Sequence, residues 1–393
     1  MKISVNVKYM IIQGLFWMLF CVAMGFVSLY LLDEGVTNSA IGITVAVFGV
    51  ASAVLQPVCG RICDKNENVS WKKMILFWAI AFSIVCVLML FLSGKLMSAI
   101  FLGLLTMIIN IIMPFVNSAL FYYEGNGEKI NFGVARGIGS GAYAIVAVII
   151  GNLAAMYGTK MVPVCGLIIS LMLVVAVIFL PYSKELDVAK GNDDGSGQDN
   201  HKDGFIKKYP TFMIMVVGFV LLLATHNITC NFMLQIIQNL GGDSSNLGTC
   251  MAIQAVVEVP VMFCFALLLK KFSPTKLMII SAIGYLIKAT CFYLAGSVYA
   301  LYTVQLAQII SFAVFASASV YYTGEMVGDE DRTTGQSVMA GAIVAGNVVG
   351  SLVGGRILDL YGIKNMLLIN IMIAGVGALI AGASAYASKR HNN

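Results

Sequence analysis

Two charged side chains stand inside long apolar runs and set the chemical question. Glu258 lies midway along the run 245–269, and Lys288 lies deep in the run 276–295. If these runs cross a bilayer, a charge at such depth costs about 3 kcal/mol or more unless it is paired, hydrated or protonated. A carboxylic acid held there suits a proton taken up on one side of a membrane and released on the other. It could equally be half of a structural pair or a neutral acid joining two helices. Lys288 could be the counter-ion of Glu258, a ligand for an anionic or hydroxylated solute, or a structural partner, since its stem reaches water only part of the way. Pro260, two residues after Glu258, removes a backbone donor and is expected to bend its helix.

Other polar residues in apolar runs are less sharply placed. Arg136 falls one turn into a run, where snorkelling to lipid phosphate competes with a role in a cavity. His226 heads a patch with Asn227, Thr229, Asn231 and Gln235; a lone intramembrane histidine serves as a hydrogen-bonding group as readily as a proton relay. Gln305 and Gln308 add uncharged donors and acceptors, and Trp17 and Tyr30 suit packing as well as a cavity wall. The stretch Gly60-Arg61-Ile62-Cys63-Asp64-Lys65, with Lys72 and Lys73 after it, is a short turn holding a glycine, an acid and bases. Gly60 would permit close helix approach and Asp64 could pair with bases at a neighbouring helix end, the makings of a gate; the plain alternative is a solvated loop. No H-E-x-x-H, P-loop or G-x-S-x-G pattern occurs, so an enzyme is not expected. The nine cysteines are scattered singly without C-x-x-C spacing, which points to buried small hydrophobes. Neither a metal nor a cofactor is expected.

The elements that must position these groups follow from composition. Hydrophobic residues make up 59% of the 393 and charged residues 11%, less than half the ~25% of a soluble domain. With a mean hydropathy of +0.90, the chain's solvent is lipid. Apolar segments of span length fall at 9–32, 39–60, 74–93, 97–121, 133–156 and 160–181, and again at 211–235, 245–269, 276–295, 298–322, 334–357 and 364–387. The first runs on to Leu32, too long for a secretory signal, and is expected to be retained. The expected fold is all-α, with twelve transmembrane helices: a bundle of six over 1–181, a polar, Gly-rich linker over 182–208 and a second bundle over 209–393. The linker composition is that of a solvated tether.

Eighteen of the 24 Lys and Arg residues fall on the side of the termini and four on the other, with Arg136 and Lys288 in or at the edge of spans. The net charge of +5 therefore speaks for orientation, with both termini and the linker cytoplasmic in a plasma membrane, and not for nucleic acid. The halves also repeat. Gly35, Ser39 and Gly42 recur as Gly241, Ser245 and Gly248, and Gly151, Tyr157, Gly158 and Lys160 recur as Gly355, Tyr361, Gly362 and Lys364, at nearly one spacing. Parallel repeats of six helices are a known transporter design, with the solute site near mid-membrane.

Three stretches resemble the major facilitator superfamily, and within it the branch of lactose permease and the phenylpropionate permeases. They are SLYLLDEGVTNSAIG with QPVCGRICDK, NFGVARGIGSGAY, and AVVEVPVMFCFALLLKKFSPTKLMIISAIGYLIKA. The resemblance implies the two-bundle fold and makes Arg136 a solute-binding residue. Glu258 matches the eighth-helix acid to within a helical turn. The family's fourth-helix acid is Asn117 here, its ninth-helix arginine Lys288, its tenth-helix histidine Gln308, and the following glutamate Ser311. The expectation is a monomeric, alternating-access carrier that couples a small solute (a sugar, nucleoside, or organic or aromatic acid) to protons. Arg136, Asn117, Lys288, Gln308 and His226 would bind the solute and Glu258 the proton, with Gly60, Asp64, Lys72 and Lys73 as gate. An exporter of the same fold and a non-transporting receptor are the alternatives.

Overall fold

The computed structural model describes residues 4–66, 68–182 and 202–392. Among these residues every regular element is a helix. The first set comprises α1 (Val5–Phe20), α2 (Val27–Asp33), α3 (Asn38–Lys65), α4 (Trp71–Phe91), α5 (Lys95–Gly125), α6 (Phe132–Tyr157) and α7 (Met161–Ile178). The second comprises α8 (Lys202–Lys208), α9 (Pro210–Asn231), α10 (Met233–Asn239), α11 (Ser244–Lys271), α12 (Pro274–Leu294), α13 (Val298–Val304), α14 (Phe312–Met326) and α15 (Arg332–Asn392). Among the described residues eleven stretches are long and apolar enough to cross a membrane. The last of them turns at Gly362, where φ is 74° and ψ 178°, so it provides two crossings and the spans number twelve.

Polar side chains start these helices where the sequence leaves the apolar runs. Ser70, Ser273 and Ser297 each accept a bond from a backbone N–H of the first turn. Asp243 and Asn246 form a reciprocal capping box at the start of α11. Each cap satisfies donors that the helix geometry leaves orphaned. Within the spans, hydroxyls find local partners, as where Ser83 of α4 meets Ser170 of α7 at 2.8 Å. Large apolar side chains stay exposed, among them Phe91, Phe121 and Leu379. In water that would be a liability; in hydrocarbon it is the matching surface.

The repeat read from glycines is written in the backbone. α3 and α11 are both 28 residues long, and α4 and α12 both 21. Gly35 and Gly241 take φ of 76° and 78° ahead of corresponding helices, and Gly158 and Gly362 take 87° and 74°. The first and seventh spans, expected to be continuous, are interrupted at corresponding phenylalanines. Phe26 (φ −110°, ψ 13°) separates the π-helical turn Cys21–Gly25 from α2, and Phe232 (φ −113°, ψ 23°) separates α9 from α10. The tenth span is also broken, passing from α13 through a 3₁₀ turn at Gln305–Gln308 before α14 begins.

Contacts group the chain into two compact units. One holds the first six spans and, with them, Leu247–Ala255 of α11; the other holds the remainder from residue 198 on. In the first unit α1 packs on α6 and α7, α4 on α5 and α7, and α3 on α5. In the second, α9 and α12 pack on α15 and α12 on α14, around aromatic pairs such as Phe219 with Phe315, stacked at 4.8 Å. Most of the expected linker, 183–201, lies outside the described residues. Its end is helical, as α8, because Phe205 is buried against Tyr209 and Phe212.

Candidate functional site

In the second unit three of the sequence-selected residues form one hydrogen-bonded chain. Lys288, on α12, donates its Nζ to Gln308 Oε1. Gln308 Nε2 donates to Glu258 Oε1, on α11, at 2.8 Å. The acid and the base are thus joined through a neutral amide whose two ends face opposite charges. Lys288 is 3% exposed and Gln308 fully buried, while Glu258 is half-buried. Hydrogen bonds to ionised groups are the strong ones, and at this depth each charge depends on them.

The break in the tenth span positions Gln308. The chain there leaves α-helical geometry, and the Ser311 carbonyl, which accepts from Phe315 N–H at 3.1 Å, accepts also from the Ser281 hydroxyl on α12 at 2.8 Å. Gly284, one turn further along α12, faces the same segment: a Cβ added there would lie 2.4 Å from the carbonyl oxygen of Ile310. The absence of a side chain lets α12 approach the unwound backbone closely enough to bring Lys288 to Gln308. Irregular backbone at membrane depth is tolerated only where protein or a cavity covers it.

His226 stands beside this chain, in the same unit. Its ring stacks on Phe312 at 4.9 Å and meets Tyr285 edge-on at 6.1 Å. Its ring nitrogen Nε2 lies 3.6 Å from the Cys230 Sγ. The Tyr285 hydroxyl and Gln305 Oε1 are buried and have no hydrogen-bond partner among the described residues. Buried polar groups are normally satisfied, so each of these two leaves a bonding position that no described residue fills. Three others of the His226 patch have structural partners: Asn231 donates to Ser351 Oγ at 2.8 Å, Asn227 to the Leu223 carbonyl and Thr229 to that of His226. Pro260 leaves α11 unbroken from Ser244 to Lys271.

In the first unit Arg136 is held from two sides. Its guanidinium carbon lies 3.8 Å from the centroid of the Trp17 ring, and Nη1 donates to Ser140 Oγ at 2.7 Å. Trp17 Nε1 donates in turn to Gln13 Oε1, and Gln13 Nε2 to the Tyr9 hydroxyl. Arg136 thus ends a polar file along α1. Asn117 is exposed on α5. Tyr30 is buried and donates to the Met89 carbonyl.

The lysines of the expected gate bond to backbone carbonyls of the first unit. Lys72 donates to the carbonyls of Ile178 and Leu180, at 3.0 and 2.6 Å, and Lys73 to that of Asn68. The close helix approach expected at Gly60 is not seen, since a Cβ there would meet nothing within 4 Å: the end of α3 has open space on that side. The side chain of Asp64 lies outside the described residues. Sequence reasoning missed Tyr285, Phe312 and Ser140. Ser140 had a signal, its spacing of one helical turn from Arg136; the two aromatics had none among so many.

Twelve apolar helices in two repeats of six, with charged and amide side chains gathered at mid-span, define a multi-pass membrane carrier. Residues 9–369 match the MFS_1 like family, and the chain belongs to it, a membrane transporter of the major facilitator superfamily. No curated protein matches the sequence. Among solved structures, the nucleoside transporter NupG is similar, with a TM-score of 0.81 at 16% identity, over 97% of this chain and 98% of that one. A point mutant of NupG gives 0.83 at 17% identity, over 97% and 99%. A bacterial homolog to the human lysosomal transporter Spinster, in an inward-facing and occupied conformation, gives 0.70 at 14% identity, over 97% and 96%.

Proposed function

We propose that the protein is a proton-coupled symporter that moves a small polar solute across the plasma membrane by alternating access, with both termini cytoplasmic. The observation that carries this reading is the buried Lys288–Gln308–Glu258 chain. When Glu258 is ionised it compensates Lys288 through the amide. When it takes up a proton that compensation is lost, and Lys288 is left seeking an acceptor, which a solute hydroxyl or anion would supply. Solute binding then favours protonation and protonation favours solute binding, which is the reciprocity a symporter requires.

Among sugars, nucleosides and aromatic acids we put nucleosides first. The stacked His226 and Phe312, the unpartnered Tyr285 hydroxyl and Gln305 Oε1 combine aromatic faces with hydrogen-bonding groups, and NupG, of like fold, is a nucleoside transporter. Arg136 and Asn117 would contribute from the first bundle (1–181), with the second bundle (209–393) supplying Glu258, Lys288, Gln308 and His226, and 182–208 as linker. Gly60, Asp64, Lys72 and Lys73 would act as the gate. The motifs around Arg136 and Glu258 support a place near the lactose and phenylpropionate permeases.

The test is proton movement in proteoliposomes offered a panel of nucleosides, sugars and aromatic acids. Solute-dependent external alkalinisation, lost in Glu258→Gln, is the expected result. Equal solute flux without proton movement in both proteins would sink the coupling role.

A further inference from the structure

Two cations without an acidic partner among the described residues meet at one helix end. α7 finishes at Ile178, and its last carbonyls point to the side of the membrane that carries the termini. Lys8 of α1 donates to Phe179 O at 3.0 Å, and Lys72 of α4 donates to Ile178 O and Leu180 O. A helix C-terminus carries about half a negative charge, so two lysines overcompensate it by more than one unit. An ammonium has three N–H donors. One is used on Lys8 and two on Lys72, which leaves donors for an anion.

An apolar groove of about 640 Å³ starts at Lys8 and runs between α1 and α7. Ile11 and Leu15 form one wall; Leu171, Val175 and Phe179 are among the residues of the other. The lining on α7 extends from Ile168 to Phe179, about 16 Å at the helical rise of 1.5 Å per residue. That is half of the ~30 Å hydrocarbon core, the depth of a single leaflet. A concave apolar channel one leaflet deep, with excess positive charge only at its interfacial end, has the shape and charge distribution of a phospholipid.

We propose that this groove is a binding site for one anionic phospholipid of the leaflet facing the termini, with an acyl chain between α1 and α7 and its phosphate on Lys8 and Lys72. Zwitterionic lipid would fill the groove less well, because its own ammonium cancels the attraction. Basic pockets between transmembrane helices on the cytoplasmic side are suited to acidic headgroups. A lipid seated there would tie the end of α7 to α1 and α4, the place where the chain leaves the first six spans.

The experiment is native mass spectrometry of the full-length protein in detergent, with added phosphatidylglycerol or phosphatidylcholine of the same acyl chains. The expected result is one retained phosphatidylglycerol in preference to phosphatidylcholine. Lys8→Gln should lower its retention about fivefold, and Lys8→Arg should keep it. Leu171→Trp, at a half-exposed groove position that leaves the lysines in place, should lower it as well. Equal loss in Lys276→Gln, a lysine at the start of α12, would show general surface charge and overturn the proposal. So would unchanged retention in Leu171→Trp, or complete displacement by inorganic phosphate.

Discussion

Glu258 and Lys288 are joined through Gln308, and the structure makes their energies depend on each other through that amide. Consider Lys288→Met, Glu258→Gln and the double variant. Removing one partner of a buried pair strands the other charge, at about 3–5 kcal/mol. Glu258→Gln strands Lys288, which is 3% exposed, so the upper part of that range applies. Lys288→Met strands Glu258, which is half-buried and can be hydrated, so the cost falls to about 1–3 kcal/mol. The double variant strands neither, and replacing a buried pair with neutral groups is close to neutral. The double should therefore be more stable than Glu258→Gln alone, and because the single costs together come to about 5–8 kcal/mol against a double near neutral, the coupling should be about 5 kcal/mol or more. Thermal unfolding of the four purified proteins in one detergent measures it. In a Gln308→Leu background the coupling should shrink, because the amide that transmits it is gone. Additive single effects would refute the reasoning: the hydrogen-bonded chain would then be a geometric coincidence without energetic content.

Gly284→Ala puts a methyl 2.4 Å from the Ile310 carbonyl oxygen, so it should destabilise by about 1–3 kcal/mol and reduce transport by moving Lys288; an unchanged melting temperature would contradict the close approach. Arg136→Lys keeps the charge but loses the planar stack on Trp17 and the fork that reaches Ser140, and solute uptake assays should show a raised KM if Arg136 binds solute. Asp243→Ala removes the capping box of α11 and should cost about 1 kcal/mol in a melting assay. Hydrogen bonds from the Ser245 hydroxyl, then from the backbone of Asn246 and Ser245, hold the Asp243 carboxyl below its ordinary value. That depressed value means its stabilisation is complete above the ordinary aspartate range and fades as pH falls through the lowered one, so melting curves of Asp243→Asn should lose that acid-side slope. Lys208 is raised by hydrogen bonds to Asp331, Glu330 and Tyr209; its contribution is present through neutral pH and lost only above the ordinary lysine range, and Lys208→Met should flatten the alkaline limb of the stability profile.

The number of spans and their repetition were legible in the sequence because a bilayer admits few solutions. Runs of about 20 apolar residues have to be helices, and the positive φ at Gly35, Gly241, Gly158 and Gly362 needs the residue that best tolerates it. The bridging of Lys288 to Glu258 by Gln308 was legible only as three polar residues in three apolar runs. Which of them would touch depends on helix rotation and on the break at Gln305–Gln308, and neither proline nor glycine marks that break. The interruptions at Phe26 and Phe232 were hidden for the same reason, since phenylalanine reads as ordinary span composition. The acceptors of Lys72, Ile178 and Leu180, belong to a helix end more than a hundred residues away, which its sequence neighbours could not reveal.

The repeat is close in backbone and departs in chemistry, and the departure falls where a carrier would need it. The interruptions at Phe26 and Phe232 have matching dihedrals, so both belong to the scaffold the halves share. The break in the tenth span has no such counterpart: α5, its equivalent by order, is continuous from Lys95 to Gly125. The second unit, which has this extra break, also holds Glu258, Lys288 and Gln308, while the first has Arg136 lying on the Trp17 ring. A shared scaffold lets both units deform in the same way, and it does not make them do the same chemistry. Restoring regular helix at Gln305–Gln308 would test whether the break is needed. A regular helix there would change the position and direction of Gln308 relative to Lys288 and Glu258, and the bridge between them should weaken. A variant with a continuous tenth span and unchanged solute transport would show that the second unit's extra break serves stability alone.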